Sequence, residues 1–245
     1  MVSPEPYLVR RGNGDIPVLF IHGWGVDHRL LLDVDEAFDT IARLERLYLD
    51  LPGSGGTPAL DGIGDFPALL SWCDDAVDEL VGSKPFMAVG NSMGSLVVRN
   101  VVARHPEQCL GFALLAPVID PDRHSRTLPE HQVVLSDEQL MGALRRDDAK
   151  AYGAMAVVRT PGHWQRFRST VLPGINSFDV AAGERLEHGY ALSSLRGMEW
   201  EHFDRQVLIM MGRQDSNVGF EDQCAFAKRL PHATFVAFDR AGHNV

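Results

Sequence analysis

The sequence predicts an α/β protein: a mostly parallel central sheet flanked by helices, carrying one inserted helical segment. Three observations predict it. Short apolar runs alternate with stretches of helical periodicity. Each run stops at a glycine-rich or polar loop. The alternation lapses between residues 121 and 196 and then resumes. Alternating strands and helices call for parallel strands joined by right-handed crossovers, and a lapse within the rhythm marks an insertion.

The elements follow in chain order. Pro17-Val18-Leu19-Phe20-Ile21 is a continuous apolar run too short for a helix, so it reads as a buried strand. It ends at His22-Gly23-Trp24-Gly25. Residues 46–51 form a second strand that runs into the loop Pro52-Gly53-Ser54-Gly55-Gly56. Residues 65–80 place Phe66, Leu69, Leu70, Trp72, Cys73, Ala76 and Leu80 at helical spacing. A third run begins at Pro85 and stops abruptly in Gly90-Asn91-Ser92-Met93-Gly94, and residues 95–105 read as a helix. Residues 110–119 form another strand, ending at Asp120-Pro121. Residues 121–196 show only short amphipathic pieces, punctuated by Pro129, Pro161-Gly162, Pro173-Gly174 and Gly183. No strand is expected there. A helical cap over 121–196, set into a core of 1–120 and 197–245, is the expected division. A strand at 206–211, a helix at 221–230 and a last strand at 234–238 complete the core, followed by Asp239-Arg240-Ala241-Gly242-His243.

Composition bounds the function. The 245 residues hold 23 Lys and Arg against 33 Asp and Glu, a net charge of −10. That argues against nucleic acid and against anionic membrane surfaces as partners. Apolar residues make up 45% and charged residues 23%, values in keeping with a soluble globular domain. Cys73, Cys109 and Cys224 are too far apart in sequence for a zinc motif, and Cys109 opens an apolar run, so it reads as a core residue. Few cysteines, no signal peptide and no bilayer-length apolar run make a cytoplasmic protein the expectation, with no metal and no cofactor.

The pentapeptide Gly90-Asn91-Ser92-Met93-Gly94 carries the chemistry. A serine on a sharp strand-to-helix turn has its Oγ pushed out of the sheet. Glycines are required on either side because a side chain there would strike the crossing strand or helix. The helix N-terminus behind the serine favours developing negative charge. Ligands in open α/β sheets bind beyond the carboxyl ends of the strands, and Ser92, Asp215 and His243 each follow such an end. Neutral His243 can accept the Ser92 proton, and Asp215 can orient the imidazole. Asp120 also ends a strand and is the rival acid. Asp50 is expected to hold its own glycine-rich loop, and the Gly53-Ser54-Gly55-Gly56 loop lacks the lysine of a phosphate-binding loop.

These residues resemble an α/β-hydrolase-fold serine hydrolase with a helical cap. The resemblance rests on the order Ser92, Asp215, His243 and on His22-Gly23, Asp50-Leu51-Pro52-Gly53-Ser54-Gly55, Gly212-Arg213-Gln214-Asp215 and Gly242-His243. It implies an oxyanion hole made of the Trp24 and Met93 backbone N–H groups, supported by His22, with Trp24 on the pocket floor. His22-Gly23-Trp24-Gly25 is similar to carboxylesterases of the pimeloyl-carrier-protein methyl ester type, which implies a carboxylic ester or thioester substrate. Gly90-Asn91-Ser92-Met93-Gly94 is similar to the carbon–carbon bond hydrolases of vinylogous diketones, which implies substrate contacts from Asn91 and a cap arginine. Those enzymes carry a tryptophan where this chain has Asn244. Lyases, acyltransferases and ligand receptors share the fold and stay open at this point, whereas Ser92 excludes the aspartate-nucleophile members. In the cap, His163-Trp164-Gln165-Arg166-Phe167-Arg168 reads as an amphipathic helix with its arginines solvated. On the sharper alternative, Trp164 and one of Arg159, Arg166 or Arg168 face the site and bind a carboxylate or phosphate. A monomer or homodimer acting on a small molecule is expected. Family members usually continue past the catalytic histidine with a helix; if none follows Val245, one side of the sheet is expected to be open.

Overall fold

A computed structural model describes residues 3–190 and 199–244, so the expected boundary at 196/197 and the terminal Val245 lie outside the described residues. The chain enters through a short strand, β1 (Leu8–Arg11), and turns into the first predicted run, β2 (Ile16–Ile21). The one-turn helix α1 (Arg29–Leu32) follows, then β3 (Leu44–Leu49), parallel to β2 and antiparallel to β1. Helix α2 (Phe66–Val81) is capped by Asp65, whose side chain accepts from the Ala68 N–H, and it stops at Gly82 with φ of 59°. Next come β4 (Phe86–Asn91), α3 (Gly94–Arg104) and β5 (Cys109–Leu115).

The segment after β5 holds β6 (Leu135–Ser136), α4 (Glu138–Ala143), α5 (Arg146–Met155), β7 (Val158–Arg159), α6 (Pro161–Thr170), α7 (Leu172–Ser177) and α8 (Val180–Glu187). Asp137, Thr160 and Asp179 cap α4, α6 and α8 through their side chains. The expectation of no strand here is corrected: β6 and β7 pair in parallel. Two-residue strands are too short to print an alternation in the sequence. Tyr152, Phe167, Val171 and Leu172 form a small buried cluster in this segment, and Val26 and Leu30 from outside it pack against them.

The sheet resumes with β8 (Gln206–Gly212), α9 (Glu221–Ala227) and β9 (Ala233–Phe238). Its order is β1-β3-β2-β4-β5-β8-β9, parallel throughout except for β1. From β3 to β8 one face is covered, while β9 is left largely exposed. Ala88, Leu114, Ile209 and Met211 are buried there with Leu69 of α2, Leu96 and Val101 of α3, and Phe226 of α9. On the other face Val18, Phe20 and Tyr48 pack with Leu31 of α1, while Met87, Val89, Leu115 and Met210 are only half-buried. The central strands therefore alternate between closed and half-open faces, although their apolar runs predict burial on both. Among the described residues no helix is long and apolar enough to cross a membrane.

Candidate active site

The turn between β4 and α3 is built by its two glycines. A Cβ on Gly90 would lie 2.7 Å from the Gly94 carbonyl oxygen, and one on Gly94 would lie 2.2 Å from that of Ile21 in β2. Only hydrogen fits at either place, so the chain can double back at Ser92, which takes φ of 51°. The turn is fixed from outside as well. Ser92 N–H donates to Leu115 O at 3.0 Å, and Ser92 O accepts from Val118 N–H at 3.2 Å.

Asp215 and His243 reach this serine by a second close approach. A Cβ on Gly212 would stand 2.2 Å from Gly242 O, so glycine lets the loop after β9 cross the end of β8. Gln214 stitches the two loops, its N–H donating to Ala241 O and its Oε1 accepting from Ala241 N–H. His243 Nδ1 lies 2.8 Å from Asp215 Oδ2, and His243 Nε2 lies 2.9 Å from Ser92 Oγ. A carboxylate only accepts, so Nδ1 carries the proton and Nε2 presents a lone pair to the hydroxyl. The other Asp215 oxygen accepts from Asn217 and Val218 N–H at 2.8 and 3.0 Å. The carboxylate is thus satisfied while fully buried, and Ser92 and His243 retain 8% and 9% exposure. The rival Asp120 instead accepts from Asp122 N–H.

The loop after β2 lies against Ser92: a Cβ on Gly23 would be 2.9 Å from Ser92 Cβ. The Trp24 and Met93 N–H groups have no hydrogen-bond partner among the described residues. Two free donors beside a serine hydroxyl are what an oxyanion needs. His22 stands behind this loop. Its Nε2 accepts from Leu51 N–H at 2.9 Å, so its proton sits on Nδ1, which donates to Gly23 O at 2.8 Å. Burial holds the His22 imidazole below its ordinary value of 6.5. Native His22 therefore declines protons that the unfolded chain accepts. Its contribution to stability is present above pH 6.5 and is lost as pH falls towards the lowered native value. Calorimetry should show Tm dropping between about pH 7.5 and about pH 5.5, with a smaller drop in His22→Gln.

The remaining expected contacts are distributed as follows. Trp24 packs its ring on Phe178 and Tyr190, with centroids 6.3 and 5.7 Å apart. Asn91 donates through Nδ2 to Leu115 O. Trp164 packs on Tyr152 and Phe167 within the segment between β5 and β8. Arg159 donates to Gly153 O at 2.8 Å, Arg166 pairs with Asp33 at 2.7 Å, and Arg168 is exposed. None of the three arginines contacts Ser92, Asp215 or His243 among the described residues. Arg166 and Phe167 border a cavity of about 450 Å³ that also meets Asn91, Gly242 and Asn244. Neither Ser92 nor His243 lines that cavity, which lies instead against Leu115 and Met210 on the half-buried face of the sheet. Asp50 holds its glycine-rich loop as expected, accepting from Gly56 N–H at 2.8 Å. His28 on the same carboxylate and Tyr190 against Trp24 escaped the sequence reading. The run Asp27-His28-Arg29, charged residues directly ahead of three leucines, is the signal that could have flagged His28.

Comparison with known proteins agrees with the fold. The dihydrolipoyllysine-residue acetyltransferase component of the acetoin cleaving system of Cupriavidus necator is 26% identical over 251 residues, covering 96% of this chain and 60% of that protein. A pimeloyl-acyl-carrier-protein methyl ester esterase of Chromobacterium violaceum is 35% identical over 102 residues, 40% of this chain and 36% of the esterase. The chain thus spans 60% or less of the length of these curated relatives. The crystal structure of an alpha/beta superfamily hydrolase from Oenococcus oeni superposes with a TM-score of 0.86 at 24% identity, covering 98% of this chain and 88% of that one. The family model for the alpha/beta hydrolase fold matches residues 16–245, and with a parallel sheet, a glycine-flanked serine turn and a histidine on the final loop, the chain belongs to the α/β-hydrolase-fold family.

Proposed function

We propose that the chain is a serine hydrolase that cleaves a carboxylic ester or thioester of a small to medium organic acid through an acyl-enzyme on Ser92. The observation that carries this reading is the continuous relay from Asp215 through His243 to Ser92, at 2.8 and 2.9 Å. His243 Nε2 takes the hydroxyl proton as Oγ attacks the carbonyl carbon. Asp215 stabilises the imidazolium and holds its tautomer. The Trp24 and Met93 amides receive the oxyanion at the N-terminus of α3. His243 then returns the proton to the departing alcohol or thiol. A water activated by the same nitrogen releases the acid and restores Ser92. The names of the two curated relatives, an acetyltransferase component and an ester esterase, both describe acyl-group chemistry.

The test is a p-nitrophenyl ester series, from acetate to longer acyl chains, followed by stopped flow and intact-protein mass spectrometry. The expected result is release of p-nitrophenol with an acyl adduct on the Ser92 peptide that decays at the turnover rate. The chain length preferred sizes the pocket. No release and no adduct across the series would reject the reading. An adduct that decays only when a thiol or alcohol is supplied would reassign the chain to acyl transfer.

A further inference from the structure

A second histidine grips the same loop from its other end. His28 N–H and His28 Nδ1 both approach Asp50 Oδ1, at 2.8 and 2.9 Å. The carboxylate accepts both, so Nδ1 carries the proton. Burial raises the Asp50 carboxyl, but the bonds from the His28 ring and the Gly56 and His28 amides outweigh it and hold it below its ordinary value, so it stays ionised at neutral pH. His22, at the start of the loop, holds the next residue along, Leu51. Residues 23–27 therefore hang between two imidazoles, both fastened to the Asp50-Leu51 step at the end of β3. Gly25, with φ of 69° and open space around its Cβ position, gives the stretch between them no stiffness of its own.

Peptide planarity turns this clamp into chemistry. Gly23 C=O and Trp24 N–H belong to one trans peptide plane and point in opposite directions. His22 Nδ1–H holds the carbonyl at 2.8 Å, so it also aims the Trp24 N–H the opposite way. We infer that His22 and His28, both anchored on Asp50-Leu51, are the device that aims the Trp24 amide, with His28 and Asp50 as positioning residues that touch no substrate. The inference rests on the acyl-enzyme reading, in which that amide receives the oxyanion. Asp27, His28 and Asp50 also lie close enough together to suggest a metal site. Their donors are already engaged, with Asp27 taken by the Arg29 N–H and guanidinium and Asp50 by His28 and Gly56.

The experiment contrasts two amides at position 28. In His28→Asn the side-chain N–H can stand where Nδ1–H stands, whereas in His28→Gln it reaches past Asp50. Both are measured for kcat and KM on the best ester, for inhibition by a trifluoromethyl ketone, and for hydrogen exchange over residues 22–28. The expected result is a kcat lowered about 10²-fold in His28→Gln with most of it recovered in His28→Asn, since an ångström of misplacement has that effect on a reacting geometry. KM stays within about twofold in both, because ground-state binding is untouched. Ketone affinity falls in step with kcat, and exchange over 22–28 quickens only in His28→Gln. Equal kcat in the two variants overturns the clamp, as does a ketone affinity that stays at the wild-type value while kcat falls. If His28→Gln does not fold, His28→Asn decides alone: loss of kcat with unchanged exchange over 22–28 overturns the inference. A wild type that cleaves no ester overturns the acyl-enzyme reading and the clamp's purpose with it, whereas an active wild type with indistinguishable variants overturns the clamp only.

Discussion

Ester turnover by Ser92→Ala is expected to fall by about 10⁴-fold or more, with the fold intact. The side chain removed makes one hydrogen bond, to His243 Nε2, and no packing contact depends on it. The backbone bonds that hold the turn, to Leu115 O and from Val118 N–H, survive the substitution. Alanine tolerates positive φ no better than serine, so Tm should move little. The residual rate would come from the free Trp24 and Met93 amides acting on water's own attack. Parallel kcat measurements and thermal melts of the two proteins check this. A variant with unchanged turnover would place the nucleophile elsewhere.

Gly94→Ala carries the second large effect, and its cause is steric. The added methyl would sit 2.2 Å from Ile21 O and 2.5 Å from His22 O. Both neighbours are backbone atoms of β2 and its following loop, so no side chain can swing away. Either α3 lifts off the sheet or β2 shifts, and both movements separate Ser92 from the Trp24 amide. A loss of about 3 kcal/mol in stability is expected, at the upper end for overpacking of one methyl. Turnover should fall by more than the folded fraction does, because the folded molecules carry a displaced Oγ. Denaturant titration alongside active-site titration with a fluorophosphonate separates the two contributions.

What was legible in the sequence was whatever obeys a local steric or periodic demand. Gly90 and Gly94 announce the turn because nothing larger fits. The apolar runs of β2, β4, β5 and β8 announce a parallel sheet, and the polar residues at their ends announce one rim. Contacts between loops leave no such trace. His28 meets Asp50 across 22 positions with no period linking them. β1 hides because its paired residues include Arg10 and Arg11, which suit an edge strand and break the apolar pattern. The expected helix at 221–230 ends as α9 at Ala227, since Arg229 and Leu230 tighten to i−3 bonds on Phe226 and Ala227. The half-open face over β4, β5 and β8 was invisible for a different reason: an apolar run looks the same whether its second face is covered or not.

The order of the sheet has one more consequence. β9 is one of the sheet's two edge strands, paired with β8 alone among the described strands, and Phe235 and Phe238 on it are 47% and 38% exposed. His243 rides on the loop that follows this strand and meets Ser92 across 151 positions of sequence. Edge strands with little buried surface detach at free energies well below that of global unfolding. His243 is therefore attached beside an edge of the sheet, whereas Ser92 sits between β4 and α3 near its middle. Turnover lost on mild warming speaks for the attachment of β9, while the core around α3 stays folded and silent.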